Sequence, residues 1–252
     1  MTYPRDGIEV LPSVLAPSLV ADLKLEGQKL AMCRHRKPLP DDIARARLTE
    51  SGWRINVTPA RVKRDQQALI RSALTVVAGI SMRATEYLGP GWGVSSYIWD
   101  YWGPTKGNQF PHHVDTFYGF KALKVYVFLT DCNALNGALE YAPGMAETIR
   151  AIINIQRMKT GPTLEEDNSF ENVERHYGYR LQRPSNLNGP AGTVVLFDPA
   201  GPHGSGPVRH GERYIFRAHL VERAYVLRHL PDQLPWYLKP VNKVMGWKKK
   251  IS

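Results

Sequence analysis

Residues 89–102, GPGWGVSSYIWDYW, decide the fold. The first five, Gly89-Pro90-Gly91-Trp92-Gly93, are a cluster of helix breakers. The nine that follow are rich in β-branched and aromatic side chains and read as a strand. Before this point the pattern is helical. Leu19, Val20, Leu23 and Leu30 fall on one amphipathic face, with Ser18 placed to act as an N-cap after Pro17. Leu69, Ile70, Ala73, Leu74, Val77 and Ile80 keep a 3.6-residue period, which predicts a second helix over 64–87.

After the breakers, four more runs read as strands: LKVYVFLT (123–130), ALEYA (138–142), GTVVLFD (192–198) and RYIFRAHL (213–220). Between them, 145–158 is expected to be a helix. Residues 159–190 form a polar insertion of the kind that makes lids and binding loops. Helices followed by short strands predict an α+β fold, mainly β: a jelly roll or β-sandwich with helices packed outside.

The length of 252 residues suits one domain spanning 1–252. The chain is 43% hydrophobic and 22% charged, and it lacks an apolar run long enough to span a membrane. The opening MTYPRDGIEVLPS has no apolar core of a signal peptide. Cys33 and Cys132 are the only cysteines, which excludes a disulfide framework and a thiolate zinc site and fits a reducing, cytoplasmic setting. The net charge of +10 raises the question of nucleic acid. The basic residues are scattered, however, and an anionic small molecule fits the charge equally well.

The chemistry centres on QFPHHVDTF, residues 109–117. In a strand, side chains alternate between faces, so His113 and Asp115 share one face while His112 points away with Val114. Two imidazoles and one carboxylate form the facial triad of non-haem Fe(II) sites, so the pair asks for another histidine from a distant element. A His-X-Asp triplet alone also suits a plain hydrogen-bonded pair. The remaining histidines are His35, His176, His203, His210, His219 and His229. His203 stands out because it follows an apolar strand and a Pro/Gly turn and opens His-Gly-Ser-Gly. In the strand after it, Arg213, Ile215, Arg217 and His219 share one face and Tyr214, Phe216, Ala218 and Leu220 the other. The second set is core. The first is too polar for core unless it faces solvent or lines a cavity, where an arginine would grip a carboxylate through two parallel hydrogen bonds.

Together these segments resemble the phytanoyl-CoA dioxygenase (PhyH-like) family of Fe(II)/2-oxoglutarate oxygenases. The resemblance rests on PHHVDTFYGFKALKVYVFLTDCNALNGALEYAPG (111–144), GPAGTVVLFDPAGPHGSG (189–206) and RYIFRAHL. The opening DGIEVLPSVLAPSLVADL (6–23) adds to it. It covers about residues 90–220 plus that opening piece. It implies a double-stranded β-helix, a cupin-like jelly roll with flanking N-terminal helices. It also implies Fe(II) on His113, Asp115 and His203, with 2-oxoglutarate as cosubstrate and O2 as oxidant. Arg213, assisted by Ser205, matches the arginine that binds the distal carboxylate of 2-oxoglutarate. The ten-residue spacing from His203 to Arg213 is one shorter than the family pattern, which makes Arg217 the reserve. The implied reaction couples decarboxylation of 2-oxoglutarate to oxidation of a C–H bond. Hydroxylation is the default outcome; desaturation, epimerisation and ring formation are also open. With no extra recognition domain, the expected substrate is a small molecule such as a secondary metabolite or an amino-acid derivative. The rival readings are an oxygenase of nucleotides or nucleic-acid bases, a zinc-binding jelly roll without activity, and a zinc hydrolase.

Overall fold

The computed structural model describes residues 6–36, 46–49, 52–76, 79–104, 110–115, 117–157, 169–177 and 180–230. In chain order its strands begin with β1 (Ile8–Leu11), β2 (Ala46–Thr49), β3 (Gly52–Val57), β4 (Gly93–Trp102), β5 (Phe110–His113) and β6 (Ala122–Phe128). They continue with β7 (Leu139–Tyr141), β8 (Ser185–Asn186), β9 (Val194–Phe197), β10 (His203–Ser205) and β11 (Arg213–Val221). The helices are α1 (Pro17–Arg36), α2 (Arg64–Val76), α3 (Ile80–Leu88), α4 (Ala146–Arg157), α5 (Phe170–Tyr177) and α6 (Arg223–His229).

The strands form a seven-stranded sheet, ordered β1-β9-β6-β11-β4-β3-β2, and a four-stranded sheet, β5-β10-β7-β8. Every paired neighbour is antiparallel. The architecture is the expected double-stranded β-helix with helices outside it.

The alternation in β11 separates fold from site. Tyr214, Phe216, Ala218 and Leu220 join Leu123, Val125 and Val127 of β6 and Trp99 of β4 in one buried cluster. Leu23 and Ala31 of α1, Ile70 and Ala73 of α2, and Ile80 and Ala84 of α3 close that cluster from the other side. The helices therefore cover the outer face of the large sheet. The opposite faces of β4, β6 and β11 turn inward between the two sheets. Burying these apolar side chains contributes roughly 1.5–3 kcal/mol each, and this outer cluster is the main source of stability.

Helix α1 lies close against the sheet. The Trp99 indole donates to the Leu23 carbonyl at 3.0 Å, and the Tyr214 hydroxyl to the Lys24 carbonyl at 2.8 Å. A Cβ on Gly27 would collide with the Tyr214 hydroxyl and the Trp99 ring.

Three expectations need correction. Helix α1 begins at Pro17, so Ser18 lies inside the first turn and is not the N-cap. Proline suits the first helical position because its missing N–H is one of the unpaired donors there. The helix expected over 64–87 is two helices, α2 and α3, separated at Gly79, whose φ of 104° breaks the helical path. Val77 of that prediction lies outside the described residues. The first third is not wholly helical: β1, β2 and β3 extend the large sheet at both edges.

Gly27→Val forces a branched side chain against Tyr214 and Trp99. It is expected to lower stability by about 1–3 kcal/mol in urea denaturation. An unchanged midpoint would show that α1 does not bear on the sheet.

Candidate active site

Strands β5 and β10 pair with His113 directly opposite His203, and the two imidazole centroids lie 4.4 Å apart. Asp115 follows the end of β5. Its Oδ1 is 3.6 Å from His113 Nε2, and its Oδ2 is 3.7 Å from His203 Nε2. One ligand atom from each residue lies within 4.8 Å of the other two, so the three could hold one metal ion. Both rings are oriented from behind. His113 Nδ1 is 2.7 Å from the Pro111 carbonyl, and His203 Nδ1 is 2.9 Å from the Gly201 carbonyl. A carbonyl only accepts, so each Nδ1 carries the proton and each Nε2 lone pair faces the cluster.

Protonation favours the same chemistry. Burial lowers the pKa of His113, and burial together with Lys124 lowers that of His203 well below its ordinary value. Burial alone would raise Asp115, but Lys124, His203 and His113 outweigh it and hold the carboxyl below the usual range. Two neutral imidazoles and a carboxylate thus stand ready at neutral pH.

The loop that delivers His203 is anchored by the buried Asp198. Its carboxylate accepts from Arg150 Nη2 at 2.6 Å, from Arg150 Nη1 at 3.3 Å, from the Tyr87 hydroxyl, and from the Ala200 amide at 3.0 Å. The Tyr141 hydroxyl donates to the Asp198 carbonyl at 3.1 Å. The Asp115 amide donates to the Pro199 carbonyl at 2.8 Å, which ties the two ligand-bearing loops together. Val114, between His113 and Asp115, is buried beside Ile149 of α4 and Val173 of α5, and His113 forms a β-bridge with Ser169.

The cluster opens into a cavity of about 370 Å³ against the inner face of the large sheet. Register lays out its walls. Arg217 of β11 lies opposite Tyr126 of β6 and Ile98 of β4; His219 lies opposite Lys124 and Ser96. Asp100 lies opposite Ile215 of β11 and Arg54 of β3. Asp100 is fully buried. It accepts from Arg217 Nη2 and the Trp102 indole, and Arg54 Nη2 lies 3.4 Å away. Burial pushes its carboxyl up, but Arg217, Arg54 and Arg213 together hold it below the ordinary range.

Arg217 also donates to the Tyr126 hydroxyl at 2.9 Å. Arg213 is engaged differently. Nη1 donates to the Gly137 carbonyl at 2.5 Å, while Nε and Nη2 are buried without a partner among the described residues. Gly137 has φ of +73°, and a Cβ there would lie 2.6 Å from the Gly206 carbonyl, so glycine is required for this approach. The Ser205 hydroxyl and His219 Nε2 are likewise buried and unpartnered. With its histidines neutral, the cavity holds four cations (Arg54, Lys124, Arg213, Arg217) and two carboxylates (Asp100, Asp115). The surplus of two positive charges matches a dianion such as a dicarboxylate. Burial and the neighbouring Arg217 draw the Arg54 pKa down to about 10, as expected where cations outnumber their partners.

The six residues singled out in the sequence, His113, Asp115, His203, Ser205, Arg213 and Arg217, all line this cavity. His112 points away, as expected, and pairs with Glu140. His210 sits exposed in a turn. Of Tyr97, Trp99, Tyr126 and Phe128, Tyr126 alone lines the cavity. Sequence reasoning missed Arg54, Asp100 and Lys124. The signal for the last two was a lone charge on the inward-facing register of an otherwise apolar strand; Arg54 lies on a strand that was not recognised.

The chain matches the phytanoyl-CoA dioxygenase (PhyH) family over residues 3–213. No curated protein sequence matches it. Among solved structures it is similar to the epimerase SnoN in complex with Fe3+, alpha ketoglutarate and nogalamycin RO. The identity is 17% and the TM-score 0.60, covering 86% of this chain and 80% of that one. It is also similar to AviO1 from Streptomyces viridochromogenes Tue57, at 20% identity and TM-score 0.59, covering 87% and 91%. EctD from S. alaskensis with bound Fe gives 20% identity and TM-score 0.59, covering 86% and 73%.

Fold and cavity thus define a double-stranded β-helix oxygenase: the donor set suits Fe(II), and the surplus charge suits a dicarboxylate. The chain belongs to the phytanoyl-CoA dioxygenase family and is a non-haem dioxygenase that uses Fe(II), 2-oxoglutarate and O2.

Removing the Asp198 carboxylate takes from the buried Arg150 its buried counter-charge and leaves it only the exposed Glu147 carboxylate, 3.2 Å from Nη2. Asp198→Ala is expected to cost roughly 3–5 kcal/mol in chemical denaturation. A loss under about 1 kcal/mol, as for a surface pair, would show that Asp198 does not anchor the loop.

Proposed function

We propose that His113, Asp115 and His203 hold the iron, and that Arg213 with Ser205 binds the distal carboxylate of 2-oxoglutarate. The enzyme oxidises a C–H bond of a small molecule, a secondary metabolite or an amino-acid derivative, with hydroxylation the default outcome. One observation carries this reading. The Nε–Nη2 edge of Arg213 and the Ser205 hydroxyl are buried donors without partners among the described residues, in the cavity that the His-Asp-His cluster faces. A buried guanidinium edge left unpaired is costly, whereas a carboxylate engages both nitrogens at once.

Arg217, the reserve, is already held by Asp100 and Tyr126. It shapes the wall, and Arg213 is the residue with a free bidentate edge. The cavity volume is near the lower end of the roughly 300–1,000 Å³ of small-molecule sites and too small for a macromolecular chain. SnoN, an epimerase in complex with nogalamycin RO, supports a small-molecule reading by analogy.

When bound, iron and 2-oxoglutarate supply the O2-dependent oxidising chemistry. The chain's own residues bind, orient and shield. The Pro111 and Gly201 carbonyls fix the imidazoles, Phe117 and Tyr225 flank the cluster with apolar surface, and Arg213 sets the direction of the dicarboxylate. Of the insertion 159–190, expected to act as a lid, residues 159–168 and 178–179 lie outside the described residues. Its described part shares a buried cluster with Val114 through Val173 of α5 and pairs β8 with β7, and does not line the cavity.

Arg213→Ala is expected to weaken 2-oxoglutarate binding at least about 30-fold, in line with the 2–5 kcal/mol lost with one partner of a buried charge pair. Isothermal titration on the metal-loaded protein measures it. A loss confined to Arg217→Ala would reverse the assignment. The lowered histidine and aspartate pKa values also set a pH dependence. All three groups stay deprotonated below the ordinary histidine value of about 6.5. Co(II) affinity is therefore expected to remain level from about pH 8 down to about pH 6.5. A decline centred at or above about 6.5 would contradict the ligand assignment.

A further inference from the structure

Lys124 is a lysine on the central strand β6, almost fully buried, and its ammonium is aimed at the metal-binding atoms. Nζ is 3.1 Å from His203 Nε2 and in direct contact with Asp115 Oδ2. They belong to two of the three residues assigned above to iron, and His203 Nε2 carries the lone pair that faces the metal site. Its strand neighbours give it no other anion: the residues opposite are His219 and Phe197. The Phe197 ring centroid is 5.9 Å from Nζ and offers only weak attraction.

A dication and an ammonium compete for one set of lone pairs. With the metal on His203 and Asp115, the ammonium is left close to a dication inside a buried cavity. At such range the repulsion is large unless an anion stands between or beside them. The charge inventory points the same way. The cavity's surplus of two and the metal dication make four positive charges, of which one 2-oxoglutarate dianion offsets two.

We propose that Lys124 forms a carboxylate subsite beside the metal, separate from the Arg213–Ser205 subsite, and that it makes tight metal binding depend on a bound carboxylate. The inference rests on the ligand assignment above. The carboxylate is either the keto-acid end of 2-oxoglutarate or a carboxylate of the substrate. Because coupling between two bound species is reciprocal, the anion that satisfies Lys124 tightens the metal, and the metal tightens that anion.

The test titrates Mn(II) into metal-free protein and follows free Mn(II) by electron paramagnetic resonance, with and without saturating 2-oxoglutarate. The proteins compared are the wild type, Lys124→Met, Lys124→Gln and His113→Ala. Circular dichroism verifies that each is folded, and the two lysine variants check one another. Without 2-oxoglutarate, both lysine variants are expected to bind Mn(II) at least about tenfold more tightly than the wild type. If 2-oxoglutarate erases that gain, its keto-acid carboxylate is the anion on Lys124. If the gain persists, the subsite is reserved for a carboxylate of the substrate. Lysine variants that bind Mn(II) no tighter than the wild type overturn the proposal. His113→Ala is a separate control: if it keeps wild-type Mn(II) affinity, the ligand assignment itself fails, whatever Lys124 does.

Discussion

The large sheet turns three arginines, a lysine and an aspartate toward the interior, and buried charge has to be compensated. Asp100 is the hub of that compensation. Held by Arg217 and the Trp102 indole and flanked by Arg54 and Arg213, it compensates the cations on the inner face of β3, β4 and β11. Breaking such a group strands the rest, since each uncompensated buried charge costs several kcal/mol. One carboxylate cannot satisfy three guanidinium groups, however. The hydrogen-bonding edge left over on Arg213 is buried in the cavity wall without a partner among the described residues, and the proposed cosubstrate site rests on it.

The two faces of the same strands therefore do different work. Outward residues of β4, β6 and β11 make the apolar cluster under α1, α2 and α3, and that cluster supplies the folding energy. Inward residues on the same strands are mixed: Tyr126, Phe128 and Ile215 join a second buried apolar cluster between the sheets, while Asp100, Lys124, Arg213 and Arg217 line the cavity, and the rigidity of the sheet holds their spacing. The small sheet contributes the opposing wall with His113 and His203 in register. Its connections are secured from outside by Asp198 with Arg150, Tyr87 and Tyr141. Site geometry thus depends on pairings remote from it, and Lys124 adds a charge facing the ligands from the strand across the cavity.

Much of this was legible in the residues, for physical reasons. The period-2 alternation of RYIFRAHL announced an apolar face and a polar one, and β11 has both. The clustering of His113, Asp115 and His203 was expected from strand alternation and from the glycines of His-Gly-Ser-Gly. The three do come together, but β5 ends at His113, so the turn that follows, and not alternation, brings Asp115 to the others. Arg54 was invisible because β3 is an edge-side strand whose pattern was lost in a region that reads as helical. Asp100 and Lys124 lay in strands that were recognised, but a single charge in a strand carries no sign of which partner it meets. That depends on register between β4, β6 and β11, which only the folded sheet supplies. The break at Gly79 was hidden for a similar reason: apolar periodicity ran through it, and only a positive φ reveals that the helix does not.

The central claim is that one cavity joins a His-Asp-His iron site to a dicarboxylate held by Arg213. Anaerobic addition of Fe(II) and then 2-oxoglutarate to metal-free protein tests it most directly, through the visible metal-to-oxoglutarate charge-transfer band. The account predicts a band in the wild type and in His112→Ala, and no band in His113→Ala. In Arg213→Ala it should appear only at much higher 2-oxoglutarate concentration. A band that survives His113→Ala, or one that is lost in His112→Ala, would contradict it.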